Sequence, residues 1–151
     1  MADRLELDVT YAARRPWAPR PVQFRTWAEA ALRGRSRSSV LSVRVVGAAR
    51  SRSLNARYRR KDKPTNVLSF GGAGWSPDGV NHLGELVICA PVVAHEAVSQ
   101  GKSREAHWAH MTVHGVLHLL GFDHEHRAGA LEMEAMELQI LDRLGFSNPY
   151  A

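Results

Sequence analysis

The chain is poor in cysteine, in long apolar runs and, over its first half, in acidic residues. Cys89 is its one cysteine, so an intramolecular disulfide is excluded and so is a thiolate cage for a metal. That usage fits a reducing compartment. No apolar run approaches the ~20 residues of a membrane span, and the N-terminal stretch does not resemble a signal peptide. A soluble, cytoplasmic protein with no membrane partner is therefore expected. Internal repeats and linker-like Pro/Gly/Ser segments are also lacking, so the 151 residues are expected to form a single domain, 1–151, with a genuine core. Up to Pro64 there are 16 Lys and Arg against 5 Asp and Glu, and from Thr65 onward 4 against 10. A basic, arginine-rich half has the character of a polyanion-binding surface, although a solvated basic face has the same composition.

What is present is concentrated in His114-Gly-Val-Leu-His118-Leu-Leu-Gly121-Phe-Asp123-His124. On a helix, His114 and His118 stand at i and i+4, so their rings project from one face. Gly121 can take a left-handed, helix-ending conformation that turns the chain and brings His124 back to the pair. The expected result is a neutral three-nitrogen site for a divalent metal, zinc by its donor type, with a fourth position open to water. His107 and His110 lie on the same helical stripe. The pair His110/His114 also has i, i+4 spacing, but only 114/118/124 has a turn delivering a ligand from outside the helix. For His107 and His110 the expectation is packing or hydrogen bonding, including orientation of a ligand from behind.

The spacing resembles that of the metzincin zinc proteases, H-E-x-x-H-x-x-G-x-x-H, with one difference. Gly115 stands where that family has its general-base glutamate, and peptide hydrolysis by that route needs the carboxylate. A second group of residues runs Leu54-Asn-Ala-Arg-Tyr58-Arg59-Arg60-Lys61-Asp62-Lys63-Pro64-Thr65-Asn66-Val67-Leu68-Ser69-Phe70. Here a basic helix end passes through a Pro-Thr turn into a strand. Arg59 suits the neutralisation of a phosphate near the metal. Equally, such cations complement a helix C-terminus for about 0.3–1 kcal/mol, and residue types alone leave both readings open.

Alternation predicts strands at 5–11, 40–46, 67–70 and 83–89, and helical spacing predicts helices at 22–32, 48–57, 91–101, 104–120 and 128–144. Ser103 is the expected N-cap of the histidine helix, with Glu105 near its positive end. Residues 71–81 (GGAGWSPDGVN) have turn chemistry and no period, which predicts a loop.

HGVLHLLGFDH, taken with LNARYRRKDKPTNVLSF and LGELVI, closely resembles the bacterial YbeY family of zinc-dependent endoribonucleases, or rRNA maturation factors. The resemblance runs from about Val40 to the Asn148-Pro-Tyr end. It implies an α+β fold, a small mixed sheet of about four strands with about five helices, and a metal site in a cleft. It implies one Zn2+ per chain on His114, His118 and His124, with Arg59 as the functional arginine of the cleft. The implied activity is endonucleolytic cleavage of single-stranded RNA, used in 16S rRNA 3′-end maturation and ribosome quality control. The implied partners are therefore RNA and the ribosome or its small subunit, without DNA. Three positions depart from the family pattern: Glu85 replaces an Asp after Leu-Gly, Asn66 an Asp after Pro-Thr, and Phe122 a Tyr before Asp-His. Asp123 and Glu85 are the candidate carboxylates for proton transfer or ligand orientation. Two other functions are compatible with the residues: a zinc metalloprotease-like hydrolase, and a non-catalytic RNA-binding ribosome-assembly factor with a structural zinc.

Overall fold

Period-2 runs and 3.6-period runs alternate along the chain, and the computed structural model, which describes residues 3–123 and 125–150, converts them into four strands and five helices. In chain order these are β1 (Arg4–Tyr11), α1 (Pro21–Leu32), β2 (Ser38–Val46), α2 (Ala48–Arg59), β3 (Val67–Trp75), β4 (Asn81–Cys89), α3 (Ala90–Ser99), α4 (Arg104–Leu119) and α5 (Arg127–Arg143). The strands form one mixed sheet in the order β1-β2-β4-β3. β1 and β4 run parallel to β2, whereas β3 runs antiparallel to β4 and forms an edge. The α+β class and the mixed sheet are as the sequence implies.

β2 buries Leu41, Val43 and Val45 on one face, because strand side chains alternate between faces. That face packs against Phe24 and Trp27 of α1 and Trp108, Val113, Val116 and Leu117 of α4 in the main core. The other face holds a smaller cluster of Val46, Leu68, Val87 and Cys89, covered by Leu54 of α2 and Val92 of α3. α4 is the central helix. It starts where expected, with Ser103 Oγ accepting from the Ala106 N–H at 3.1 Å. It lies close against the sheet because residue 115 is glycine: a Cβ there would stand 2.7 Å from Leu86 Cδ2 and 3.3 Å from Val67 Cγ2. It ends at Gly121, whose φ of +100° favours glycine; the Phe122 N–H closes the end on the Leu117 carbonyl at 3.1 Å.

The structure corrects two expectations. Residues 71–81 are not a loop throughout: β3 continues to Trp75 and pairs with β4 across a register shift between Gly71 and Gly74. Side-chain-free Gly72 and Gly84 let the two backbones approach where a Cβ at either would collide with the opposite strand. The apolar spacing within 128–144 predicts a buried stripe of Leu131, Met133 or Ala135, Leu138, Leu141 and Leu144, and in α5 that stripe is rotated. Met133, Glu137, Ile140 and Leu141 are buried while Leu131 is exposed. The buried set includes a carboxylate.

Candidate metal-centred cleft

Two walls face each other across a cleft of about 780 Å³. The first is the C-terminal part of α4 and the turn after it, contributing His114, His118, Gly121, Phe122, Asp123 and Glu125. The second comprises Tyr58 and Arg59 at the end of α2, and residues 66–70 of the β3 edge run along the cleft. Arg59 and Asp123 thus share one cavity with His114 and His118.

On the first wall the helical repeat brings the Nε2 atoms of His114 and His118 to 3.1 Å. Two nitrogens bound tetrahedrally at 2.0–2.1 Å from a zinc stand roughly 3.3 Å apart, so this pair fits the metal with little movement. The His114 Nδ1–H donates to Glu137 Oε1 at 2.6 Å, which leaves the lone pair of its Nε2 directed at the His118 side. A carboxylate holding the outer nitrogen of a metal-ligating histidine fixes both tautomer and ring orientation.

Glu137 is fully buried and needs partners to be tolerated there. Its Oε2 accepts from His110 Nε2 at 2.7 Å and from the Tyr150 hydroxyl at 2.5 Å. Burial pushes the carboxyl up, but the hydrogen bonds from His110 and His114 outweigh it and hold its pKa at about 2. Burial in turn lowers the His110 pKa, against the pull of Glu137, and burial raises that of Tyr150. His110, His114 and Glu137 offer donor atoms within 4.8 Å of one another and so form a group that could hold a metal ion. The separations of 2.6 and 2.7 Å within it are hydrogen-bond lengths. The 3.1 Å between His114 and His118 Nε2 is also within hydrogen-bond reach, and it lies close to the ~3.3 Å of two zinc-bound nitrogens. A second pair lies one turn back, where buried His107 Nε2 meets half-buried Glu96 Oε1 at 2.9 Å and Asn66 Nδ2 donates to the same carboxylate at 3.1 Å. His107 and His110 are therefore hydrogen-bonded helix-face residues, and His110 shares its carboxylate with His114.

The second wall is held by its own backbone ties. The Asn55 amide, at the buried face of α2, donates to the Lys63 carbonyl at 2.8 Å. Ser51 Oγ donates to the Thr65 carbonyl at 3.0 Å and accepts from the Thr65 N–H at 2.9 Å. These bonds hold the basic segment against the helix that carries Arg59. Arg52 grips Asp62 at 2.7 and 3.0 Å. Among the described residues, Arg57, Arg59, Arg60 and Lys61 have no carboxylate partner.

Of the other expected site residues, His124 lies outside the described residues. Asp123 is exposed at the cleft, its Oδ1 accepting from the Glu125 N–H at 2.6 Å. Glu85 is not among the lining residues: it stands opposite Phe70 in the β3–β4 register, on the sheet face away from α4, and pairs with Arg44 at 3.4 Å. Glu137 is the residue that sequence reasoning misses. Its one sequence signal is a glutamate at a position in register with Met133, Ile140 and Leu141 of the buried stripe.

The family model described as "Endoribonuclease YbeY" matches residues 20–145. Similar curated proteins include an "Endoribonuclease YbeY" of Stenotrophomonas maltophilia (strain R551-3), 53% identical over 98% of this chain and 94% of that protein. Another, from Xanthomonas campestris pv. campestris (strain B100), is 54% identical over the same shares. The solution structure of TM1509 from Thermotoga maritima superposes with a TM-score of 0.59 at 18% identity, covering 92% of this chain and 91% of that one; that likeness concerns the fold. No helix among the described residues is long and apolar enough to cross a membrane.

Proposed function

The chain belongs to the YbeY endoribonuclease family, and on that premise we propose that it is a zinc-dependent, single-strand-specific endoribonuclease. Its place is the cytoplasm, in 16S rRNA 3′-end maturation and ribosome quality control, with the ribosome or its small subunit as a partner. The reading rests above all on the pairing of His114 and His118 Nε2 at 3.1 Å in the same cavity as Arg59.

One zinc per chain would be held by His114, His118 and His124. When bound, it supplies Lewis acidity toward a phosphodiester and a source of nucleophile near neutral pH. The chain's own residues do the rest. Glu137 keeps the His114 ring fixed, so the ligand set is organised before substrate arrives. Arg59 binds the phosphate and offsets the charge that grows on it as the bond breaks. Asp123, open to the cleft, is the carboxylate that takes or holds a proton. Glu85, paired with Arg44, is not among the residues that line the cleft.

The protease-like alternative requires a base at position 115, where even a Cβ meets Leu86. The structural-zinc alternative requires a fourth protein ligand, and His110, the best candidate, is turned to Glu137 at 2.7 Å.

The test uses purified protein and an end-labelled single-stranded RNA carrying a 16S 3′-end sequence. Wild type is compared with Arg59→Glu and His114→Ala, with folding followed by circular dichroism and zinc by elemental analysis. The expected result is cleavage by wild type alone, with both variants folded and His114→Ala depleted of zinc. Loss of the metal ligand should cost about 10³-fold or more, since such an ion contributes several kcal/mol to the transition state. Equal cleavage by all three proteins would identify a contaminant and contradict the reading.

A further inference from the structure

The exposed large apolar side chains among the described residues are Val22, Tyr58, Trp75, Val98, Leu131 and Tyr150. Tyr58 is the one that lines the cleft, and it keeps 56% of its surface in water. Its neighbours are a second ring and a cation. Its ring meets that of Phe70 edge-to-face, with centroids 5.0 Å apart and planes at 70°. The Arg57 guanidinium lies over one face of the ring, 5.4 Å from its centroid, and the Asn55 and Ser51 ties fix the helix end that carries it. A flat, supported aromatic surface left wet beside arginines without carboxylate partners suits a ligand that is flat and polyanionic together.

We propose that Tyr58, backed by Phe70, is a base-stacking subsite for one unpaired nucleotide of the RNA, placed next to the phosphate that Arg59 binds. This rests on the nuclease reading and supplies the physical origin of its single-strand preference. A base inside a duplex already has both faces covered by its neighbours, so only an unpaired base can be laid on the Tyr58 ring. Arginine contacts to phosphate carry no such discrimination.

Tyr58→Phe keeps the ring, whereas Tyr58→Leu keeps apolar bulk over Phe70 and removes the π-face. Both are compared with wild type by fluorescence anisotropy. The probes are a labelled, unstructured single-stranded RNA dodecamer, the same strand annealed to its complement, and an abasic strand of equal length and charge. Cleavage of the dodecamer by each protein is measured in parallel. Stacking of one base gives an expected loss of about 10-fold in affinity for the dodecamer in Tyr58→Leu. Tyr58→Phe should bind it within about 2-fold of wild type, and the three proteins should not differ on the duplex and abasic probes. A wild type that cleaves the dodecamer while Tyr58→Leu binds it equally well overturns the subsite and leaves the nuclease standing. Equal losses on abasic and normal strands also overturn it, because they assign Tyr58 a merely structural role. A wild type that neither binds nor cleaves the dodecamer overturns the nuclease reading, and the subsite with it.

Discussion

The two walls of the cleft are made in opposite ways. The α4–α5 wall aims a few neutral or paired groups by burying their outer atoms: His110, Glu137 and the far nitrogen of His114 are locked in one hydrogen-bonded cluster. The α2 wall presents charge at the surface, on Arg57, Arg59, Arg60 and Lys61, and fixes only the backbone that carries it. Burial therefore sets geometry on one side, while on the other long cationic side chains keep the freedom to follow a phosphate chain. Substitutions on the first wall should act sharply and through few partners; on the second they should act gradually and through salt.

Gly115→Glu should damage the first wall most severely. It restores the metzincin residue pattern, but sets a carboxylate against Leu86 and Val67 inside the α4–sheet contact. Burying an unpaired charge there should cost several kcal/mol. The expected outcome is an aggregated or unfolded protein in a thermal melt, and a folded variant with new peptidase activity would contradict the account.

Glu137→Gln should leave the fold recognisable and weaken zinc binding by about 10–100-fold, the usual effect of removing the carboxylate behind a ligating histidine. Competition against a chromophoric chelator reads this directly. An unchanged affinity would assign Glu137 to packing alone.

Acid should loosen the α3–α4 contact behind the cleft, where Glu96 of α3 meets His107 of α4. The hydrogen bond from His107, against the upward push of burial, holds Glu96 below its ordinary pKa of 4.5. A group whose pKa is lowered by folding stabilises the native state fully above its unfolded value, and that contribution is lost as pH falls through the lower native value. Thermal melts of wild type should therefore fall away below about pH 4.5, whereas Glu96→Gln should start lower and show a shallower acid slope. Parallel curves would remove Glu96 from the acid response.

The smallest effect should come from Arg60→Gln. With one fewer phosphate neutralised, the slope of log affinity for single-stranded RNA against log salt should flatten by about 0.7. A slope unchanged by this and by the matching Arg57→Gln variant would show that the second wall does not track the backbone.

The first wall is legible in the sequence where it depends on local spacing. The i, i+4 histidines, the Ser103 cap and the Gly121 stop are written within one helix, and the structure brings His114 and His118 together as that spacing requires. What depends on tertiary register is not legible. Glu137 stays hidden because a glutamate in a helix reads as solvent-facing until the rotation of α5 against α4 is known. Glu85 sits one residue from Leu86, and strand parity alone sends it to the other face of the sheet; nothing in LGELVI says which face α4 covers. The extension of β3 to Trp75 is masked by glycines, which signal turns locally but here let two strands pass closely.

The most direct test is a metal titration of cleavage. Protein stripped with a chelator and dialysed would be given increasing zinc while cleavage of an end-labelled single-stranded RNA is followed. The expected result is negligible cleavage without metal, a plateau at one zinc per chain, and no rise for His114→Ala. Cleavage indifferent to stripping, or a rise that survives in His114→Ala, would contradict a metal-centred cleft.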